Sequence, residues 1–227
     1  MATESVLTFN KIQSKSLNPE AVLFDLDGTL LDTMELHFKC WSEVLVKYGI
    51  RLTRSEFYAK EGTNIASLAR QYLGERSSEQ DIINLIALKD RMFVQEYVFK
   101  PYHGVAEFFS LLRKKNIKTG LVTAGNRERF FRSVPSWFAE AFNVCVFGDS
   151  TKLGKPNPDP YLLAISELRV APSKCVVVEN APLGILAAKR AKTFCIAVTS
   201  TLPKETLSGA DIILENFSQI NQLNWSL

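Results

Sequence analysis

The feature that most constrains the fold is an apolar run over residues 21–24, which ends in two carboxylates, Asp25 and Asp27, before Gly28. Consecutive apolar residues of branched and aromatic types are typical of a strand covered on both faces, as in a parallel sheet. Open parallel sheets bind ligands beyond the carboxyl ends of their strands. The spacing of two residues predicts both carboxylates on one side of an extended backbone. We therefore expect a cation or a proton between them.

Length, net charge, apolar runs and cysteine spacing limit the classes of function that this chain can have. The 227 residues, of which 46% are hydrophobic, suffice for one domain with an insertion. The net charge of +3 is small, and no predicted element interleaves basic with aromatic residues, which argues against nucleic-acid binding. No apolar segment approaches the ~20 residues that span a bilayer, and no signal-peptide pattern opens the chain. The four cysteines are widely spaced, which favours reduced thiols and a cytoplasmic protein. We also expect a monomer with no membrane association.

The order of elements predicts the architecture. Residues 1–18 have few periodic apolar positions and are interpreted as a loosely ordered arm. Residues 34–99 are helical in pattern, with Thr33 offering a cap oxygen to the first helix and Gly49 ending it. From residue 100 onwards helices alternate with strands, and one helix, at 159–169, has Asp159 as its expected cap. The strands are predicted at 117–122, 144–147, 175–178, 194–198 and 211–214.

Helices between such strands require parallel pairing with right-handed crossovers. The sequence therefore predicts an α/β fold whose core is a doubly wound, parallel, Rossmann-like sheet built from residues 19–33 and 100–227. Residues 34–99 form an all-helical cap domain, inserted after the first strand as a lid over its carboxylates. We expect hinges at 31–33 and 100–104, where Pro and Gly interrupt the pattern.

Two further segments offer groups suited to phosphate. Thr123 follows a predicted strand, and the small-residue loop Ala124, Gly125 and Asn126 offers donors for oxyanions, although a threonine there also suits a helix cap. Lys155 lies in a turn with three prolines and is interpreted as a phosphate-facing cation. The alternative is an ordinary exposed loop lysine.

The strand at 175–178 ends in Glu179 and Asn180, which offer two oxygen ligands at a buried edge. The alternative for Asn180 is a helix cap. Lys89 falls in the mainly apolar stripe of the last helix of the predicted cap. It either packs its stem and extends its amine to water, or faces a ligand.

Four segments together carry a family resemblance: DLDGTLLDT at 25–33, Thr123, GKPNPDPY at 154–161 and VVVENAPLG at 176–184. The chain resembles the haloacid dehalogenase superfamily, in the branch that includes beta-phosphoglucomutase and sugar-phosphate phosphatases. The match extends over about residues 20–200, and the predicted helical insertion lies where that branch has its cap.

The resemblance implies roles for these residues. Asp25 would be the nucleophile that takes the phosphoryl group as an aspartyl phosphate. Asp27 would protonate the leaving oxygen and then act as the base, so we expect it to be protonated when substrate arrives. Thr123 would hydrogen-bond the phosphate and Lys155 would offset its charge. Dehalogenating members lack the second aspartate because halide leaves without a proton, so Asp27 argues for phosphate esters.

Mg²⁺ is the implied cofactor, bound by the Asp25 side chain, the Asp27 main-chain carbonyl and the pair Glu179 and Asn180. The family usually has two acids in that pair, whereas Asn180 contributes no charge, so Glu179 is expected to take a larger share of coordination. We expect an unusually high Mg²⁺ requirement, which Asn180→Asp should lower. Superimposable metal titrations of the two proteins would show that Asn180 is not a ligand.

The implied function is hydrolysis of a small phosphorylated metabolite, with a sugar phosphate as the expected substrate. A beta-phosphoglucomutase-like mutase is the alternative, because His37 keeps the position that it has in that enzyme and would steady Asp27. An exposed histidine at a helix start is the plainer interpretation. The loop that contains Gly62 resembles the substrate loop of the mutase, but Ile65 replaces a phosphate-binding arginine and Asn126 replaces a lysine.

A mutase holds a bisphosphate by both ends, so the loss of two cations favours the phosphatase. Lys89 would supply the remaining distal charge. A second alternative is a phosphometabolite-binding protein with impaired turnover, because of Asn180. The expected substrate contacts are His37, Gly62, Lys89, Ala124, Gly125 and Asn126.

Overall fold

The core of the molecule is a six-stranded parallel sheet. The computed structural model describes residues 16–74 and 77–226. Its strands are β1 (Ser16–Leu17), β2 (Ala21–Phe24), β3 (Lys118–Val122), β4 (Val144–Val146), β5 (Cys175–Glu179), β6 (Phe194–Val198), β7 (Ile212–Leu214) and β8 (Asn224–Trp225). The sheet has the order β4-β3-β2-β5-β6-β7, with every neighbouring pair parallel. This confirms the α/β fold with a parallel sheet.

The register of the central strands brings three chain segments to one edge. Phe24 at the end of β2 lies opposite Leu121 of β3 and Val178 of β5. The residues that follow these strands therefore emerge side by side at the carboxyl edge of the sheet, where parallel sheets bind ligands. Asp25 continues the pairing, because its N–H donates to the Val178 carbonyl at 3.0 Å.

Helices cover both faces of the sheet. The α-helices of the described residues are α1 (Met34–Val46), α2 (Arg54–Tyr58), α3 (Ile65–Leu73), α4 (Glu79–Glu96), α5 (Val105–Lys114), α6 (Arg127–Ser133), α7 (Ser136–Ala139), α8 (Asp159–Leu168) and α9 (Pro182–Arg190). Val22 and Phe24 of β2 pack in the cluster that holds Phe108 of α5. Leu23, which points to the opposite face, packs in the cluster that holds Tyr161 of α8.

Helices α1–α4 form a helical block (residues 34–96) with an apolar cluster of its own around Trp41, Val44 and Leu85. The two connections to the sheet run side by side. Leu31 forms an antiparallel bridge with Pro101, and the Asp32 N–H donates to the Lys100 carbonyl at 3.0 Å. The block therefore leaves and rejoins the core at adjacent points beside the carboxyl edge. No helix in residues 16–74 and 77–226 is long and apolar enough to cross a membrane.

Three local expectations were wrong. Ser16–Leu17 is a strand, because it pairs in parallel with Asn224–Trp225, a partner too distant in sequence to be foreseen. The arm is thus ordered at those residues, and residues 1–15 lie outside the described ones. Thr33 precedes α1 without capping it. Helix α8 likewise begins at Asp159, and neither that side chain nor Pro158 makes a capping hydrogen bond.

Candidate active site

Asp25 is bound to residues from the strand ends of the core. The Lys155 amine donates to Asp25 Oδ1 and to Glu179 Oε1, both at 2.7 Å. The side chains of Asp25 and Lys155 are both buried. Burial raises the pKa of Asp25 to about 7; Lys155 opposes this rise, and Glu179 adds to it. Burial alone would lower the pKa of Lys155, but the two carboxylates raise it. Lys155 is therefore a buried cation and not an exposed loop lysine.

Glu179 has every acceptor position filled. Its Oε1 accepts from Lys155 and, at 2.9 Å, from the Tyr161 hydroxyl. Its Oε2 accepts from the main-chain N–H groups of Asn180 at 2.9 Å and Ala181 at 3.1 Å. The carboxylate lies directly against Gly184 of α9, where a Cβ atom would come within 1.6 Å of it. Glu179 therefore fixes Lys155, and its share of metal coordination stays a prediction.

Asp27 has a separate set of partners. Arg129 Nη2 donates to Asp27 Oδ2 at 2.6 Å, and the Thr33 hydroxyl donates to Oδ1 at 2.9 Å. His37 Nε2 lies 3.1 Å from the same Oδ1. Burial would raise the pKa of Asp27, but Arg129 and His37 outweigh it and hold the pKa well below its usual range. Within the described residues the two carboxylates thus have different cationic partners, and protonation of Asp27 on arrival of substrate stays a prediction.

His37 is buried and not an exposed residue at a helix start. Its ring stacks on Phe93 with a centroid distance of 4.3 Å, and burial together with Lys89 lowers its pKa to about 4. The imidazole is therefore neutral near pH 7. Nδ1 of His37 and Nε of Arg129 are buried polar atoms without a hydrogen-bond partner in the structure.

Lys89 does not extend to water, so that alternative is wrong. It is 2% exposed, and its amine lies 3.1 Å from Asp90 Oδ1, 5.6 Å from the Trp41 ring centroid and 5.3 Å from that of Phe93. Burial lowers its pKa, an effect that Asp90 opposes. Lys89 is therefore a buried cation held between aromatic rings.

The loop after β3 makes hydrogen bonds within the core and also to the helical block. Thr123 is buried, and its Oγ1 accepts from the Gly125 N–H at 3.0 Å. The Asn126 side chain accepts from the Arg129 N–H at 2.7 Å and so caps α6, while its amide donates to Asp90 of α4. Asn126 therefore joins the core loop to the helical block.

Asn180 joins the core to the block from the other side. Its Oδ1 accepts from the Thr29 hydroxyl at 2.9 Å, and its Nδ2 donates to Glu61 Oε1 at 2.6 Å and to the Thr201 hydroxyl at 2.9 Å. Helix α9 is preceded by Ala181, without a side-chain cap, so the capping interpretation of Asn180 is wrong.

One pocket lies between the carboxyl edge and the helical block. Of the predicted residues it is lined by Asp25, Asp27, His37, Gly62, Lys89, Thr123, Ala124, Gly125 and Asn180. Lys155 and Glu179 lie behind Asp25, and Asn126 lines a neighbouring pocket on the other side of Arg129. Two carboxylates, a buried lysine and a threonine hydroxyl thus meet at one sheet edge.

Comparison with known proteins agrees with this geometry. Residues 22–198 match the family of haloacid dehalogenase-like hydrolases. The chain belongs to this family. It is 31% identical over 210 residues to validoxylamine A 7'-phosphate phosphatase of Streptomyces hygroscopicus subsp. limoneus, covering 88% of this chain and 95% of that protein. It is 28% identical over 211 residues to beta-phosphoglucomutase of Bacillus subtilis, covering 88% and 91%.

The crystal structure of CbbY from Rhodobacter sphaeroides in complex with xylulose-(1,5)bisphosphate superposes with a TM-score of 0.77 at 28% identity, covering 88% of this chain and 95% of that one. The resemblance to the phosphatase and beta-phosphoglucomutase branch of the haloacid dehalogenase family is thus confirmed.

This member of the haloacid dehalogenase family has site residues that its sequence motifs do not reveal. The unpredicted ones are Thr29, Thr33, Glu61, Asp90, Arg129, Tyr161 and Thr201. Arg129 had one signal, since it lies in the first turn of α6, where the helix dipole disfavours a cation unless that cation serves another group. Ile65 and Asn126 stand where the mutase has cationic residues, which predicts a pocket short of positive charge. Arg129 and Lys89 both line the pocket, so its positive charge is greater than these two positions predict.

The donor set fits Mg²⁺. The Thr29 hydroxyl lies 2.9 Å from Asn180 Oδ1 and 3.3 Å from Asp25 Oδ2, so these two oxygens face a common point. Around that point the buried carboxylates of Asp25 and Glu179 share one ion-pair partner, Lys155, and the buried carboxyl group of Glu61 has no ion pair within the described residues. The uncompensated charge suits a divalent cation.

Among residues 16–74 and 77–226, no three His, Cys, Asp or Glu side chains are clustered as a ready-made metal site. A site of the kind implied here does not require such a cluster, because an amide oxygen and a main-chain carbonyl supply two of its ligands.

Proposed function

We propose that this chain is a Mg²⁺-dependent phosphatase that hydrolyses a small phosphorylated metabolite through an aspartyl phosphate. The observation that supports it most directly is the buried ion pair of Asp25 with Lys155, at 2.7 Å, beside Thr123 at the carboxyl edge of β2. A carboxylate fixed by a lysine at that edge is oriented for attack on a phosphoryl group, whose charge the lysine offsets.

Each residue then has a defined part. An oxygen of Asp25 attacks phosphorus, and the Thr123 hydroxyl and the loop N–H groups hold the phosphoryl oxygens. Asp27 protonates the leaving oxygen and later takes a proton from the water that hydrolyses the aspartyl phosphate. Mg²⁺, held by Asp25, the Asp27 carbonyl and Asn180, would offset charge on the phosphoryl group.

Asp27 cannot donate a proton while Arg129 holds it as a carboxylate. We infer that Arg129 leaves Asp27 when substrate binds and turns to an anionic group of the substrate, and that Asp27 then takes up from solvent the proton that it gives to the leaving oxygen. Arg129 Nε makes no hydrogen bond among the described residues, with Asp90 Oδ1 3.9 Å away, and the side chain lines the pocket, which supports this exchange. The helical block would then be the cap that contributes His37, Gly62 and Lys89 to substrate binding, with the paired connections at 31–32 and 100–101 as its hinge.

The relatives support a phosphorylated carbohydrate as the substrate, since one is named a phosphorylated carbohydrates phosphatase and the structure of another holds xylulose-(1,5)bisphosphate. The test is phosphate release from 4-nitrophenyl phosphate with and without Mg²⁺. We expect release that requires Mg²⁺ and is lost in Asp25→Asn. Equal release by the two proteins would contradict the proposal, and tight ligand binding without any release would favour a binding protein.

A mutase is the second candidate, because Arg129 and Lys89 together could hold the distal end of a bisphosphate. The two candidates differ in their products. With beta-glucose 1-phosphate and a trace of glucose 1,6-bisphosphate, a phosphatase releases free glucose, whereas a mutase accumulates glucose 6-phosphate. We expect free sugar.

A further inference from the structure

Glu61 is a buried carboxylate whose partners are neutral. It lies in the turn after α2, is 6% exposed, and accepts hydrogen bonds from Asn180 Nδ2 at 2.6 Å and from the Thr201 hydroxyl at 3.0 and 3.1 Å. It forms no ion pair within the part of the chain that the structure describes. An unpaired buried carboxylate is costly, so its retention calls for a role.

Glu61 determines which way the Asn180 amide points. Glu61 Oε1 faces Asn180 as a hydrogen-bond acceptor, 2.6 Å from Nδ2, so the atom of Asn180 on that side is the NH₂ group. The amide oxygen is thereby turned to the opposite side, towards Thr29 and Asp25. With the amide reversed, its oxygen would face the Glu61 carboxylate and its NH₂ group would occupy the cation position.

The contact is also built tightly into the fold. A Cβ atom at Gly28 would lie 2.2 Å from Asn180 Nδ2 and 3.0 Å from Glu61 Oε1, so the hydrogen bond passes directly over this glycine. Gly62 packs on the segment that follows Asn180, where its Cβ position is 3.5 Å from Ala181. The turn that carries Glu61 is therefore seated on the start of α9.

We propose that Glu61 is a positioning residue of the divalent-cation site, which holds the Asn180 amide with its oxygen towards Asp25. This deepens the proposed function, since it rests on Asn180 being a metal ligand. Because Glu61 belongs to the helical block and Asn180 to the core, the orientation that suits a cation exists only where the block meets the core. An amide ligand needs such a partner, whereas a carboxylate, with two equivalent oxygens, does not.

The test is calorimetric binding of Mg²⁺ to the full chain without substrate, in wild type, Glu61→Gln and Glu61→Met. A glutamine keeps an acceptor oxygen for Asn180 without the charge, so we expect Mg²⁺ affinity within about twofold of wild type. A methionine has no strong acceptor, and we expect about a tenfold loss, within the range found when a residue behind a metal ligand is replaced. Equal losses in both variants would show that Glu61 acts by charge alone and would overturn the proposal.

A second background separates orientation from structure. In Asn180→Asp either oxygen can face Asp25, so adding Glu61→Met should change Mg²⁺ affinity by less than about threefold. The same tenfold loss in both backgrounds would contradict a positioning role, as would a wild-type chain that binds no Mg²⁺ at millimolar concentration. The proposed function is tested independently by aryl phosphate release from wild type, so release without this binding pattern overturns the inference alone.

Discussion

Asp25 and Asp27 are two residues apart, yet their surroundings are opposite. Asp25 is held by Lys155 from the core, and burial, with a smaller contribution from the Glu179 carboxylate, raises its pKa. Asp27 is held by Arg129 and lies beside His37 of the helical block, and its pKa is lowered. The first carboxylate is therefore arranged to receive a cation, and the second is already neutralised by the protein. The difference shows how one strand end can supply two chemical roles.

Exchange of each carboxylate for its amide tests this difference most strongly. We expect Asp25→Asn to lower kcat for 4-nitrophenyl phosphate by about 10⁴-fold or more, because it removes the nucleophile. Asp27→Asn should cost about 10²- to 10⁴-fold, the usual contribution of a general acid and base. Thermal melts check that both variants fold. A larger loss in Asp27→Asn than in Asp25→Asn would reverse the assigned roles.

Removal of the cation beside Asp25 should have the largest effect on stability. Lys155→Met leaves Asp25 and Glu179 buried and unpaired, so we expect the free energy of unfolding to fall by about 5 kcal/mol. Denaturant unfolding measures this, with Lys152→Met, an exposed lysine of the same segment, as the control. A loss no greater than in the control would show that Lys155 does not neutralise the pair.

Removal of the cation beside Asp27 should cost less. Arg129→Met leaves the half-buried carboxylate of Asp27, which keeps the Thr33 hydroxyl and His37, so we expect a loss of about 3 kcal/mol in the free energy of unfolding. The exposed Arg132 of the same helix is the matched control, with a change within about 0.5 kcal/mol. If the two arginine variants unfold alike, the Asp27 ion pair contributes nothing to stability.

The smallest effect is expected at Thr33. Thr33→Val removes one donor to Asp27 Oδ1, which should lower the free energy of unfolding by about 1 kcal/mol. Thr33→Ser keeps the hydroxyl and should retain most of that stability. Serine and valine variants of equal stability would mean that Arg129 and His37 suffice for Asp27.

The surroundings of Asp25 and those of Asp27 also differ in how far the sequence predicts them. Asp25 and Thr123 each follow a buried strand and Glu179 ends one, and parallel register obliges such residues to meet at one edge. That part of the site, with the strands and most helices, follows from patterns along the chain. The prediction that Lys155 belongs to the site follows from the motif GKPNPDPY and from its position in a turn with three prolines, where a lysine has no role in a helix.

The contacts of Glu61 and Arg129 depend instead on how the helical block is seated on the core. Glu61 lies 119 positions from Asn180, and Arg129 lies 102 positions from Asp27. No periodicity encodes such distances, because the packing of whole helices sets them. The same holds for Lys89, whose stripe indicated burial but not the aromatic rings and the Asp90 carboxylate around it.

The paired connections of the helical block have a consequence for how such chains diversify. Leu31 and Pro101 form a β-bridge, so the two segments that connect the helical block to the core lie side by side. A different set of helices spliced between these two residues would leave the register of β2, β3 and β5 untouched. Under the proposed function, the residues of phosphoryl transfer lie on the core and His37, Gly62 and Lys89 lie on the block, so the substrate contacts of the block can be exchanged without altering the core.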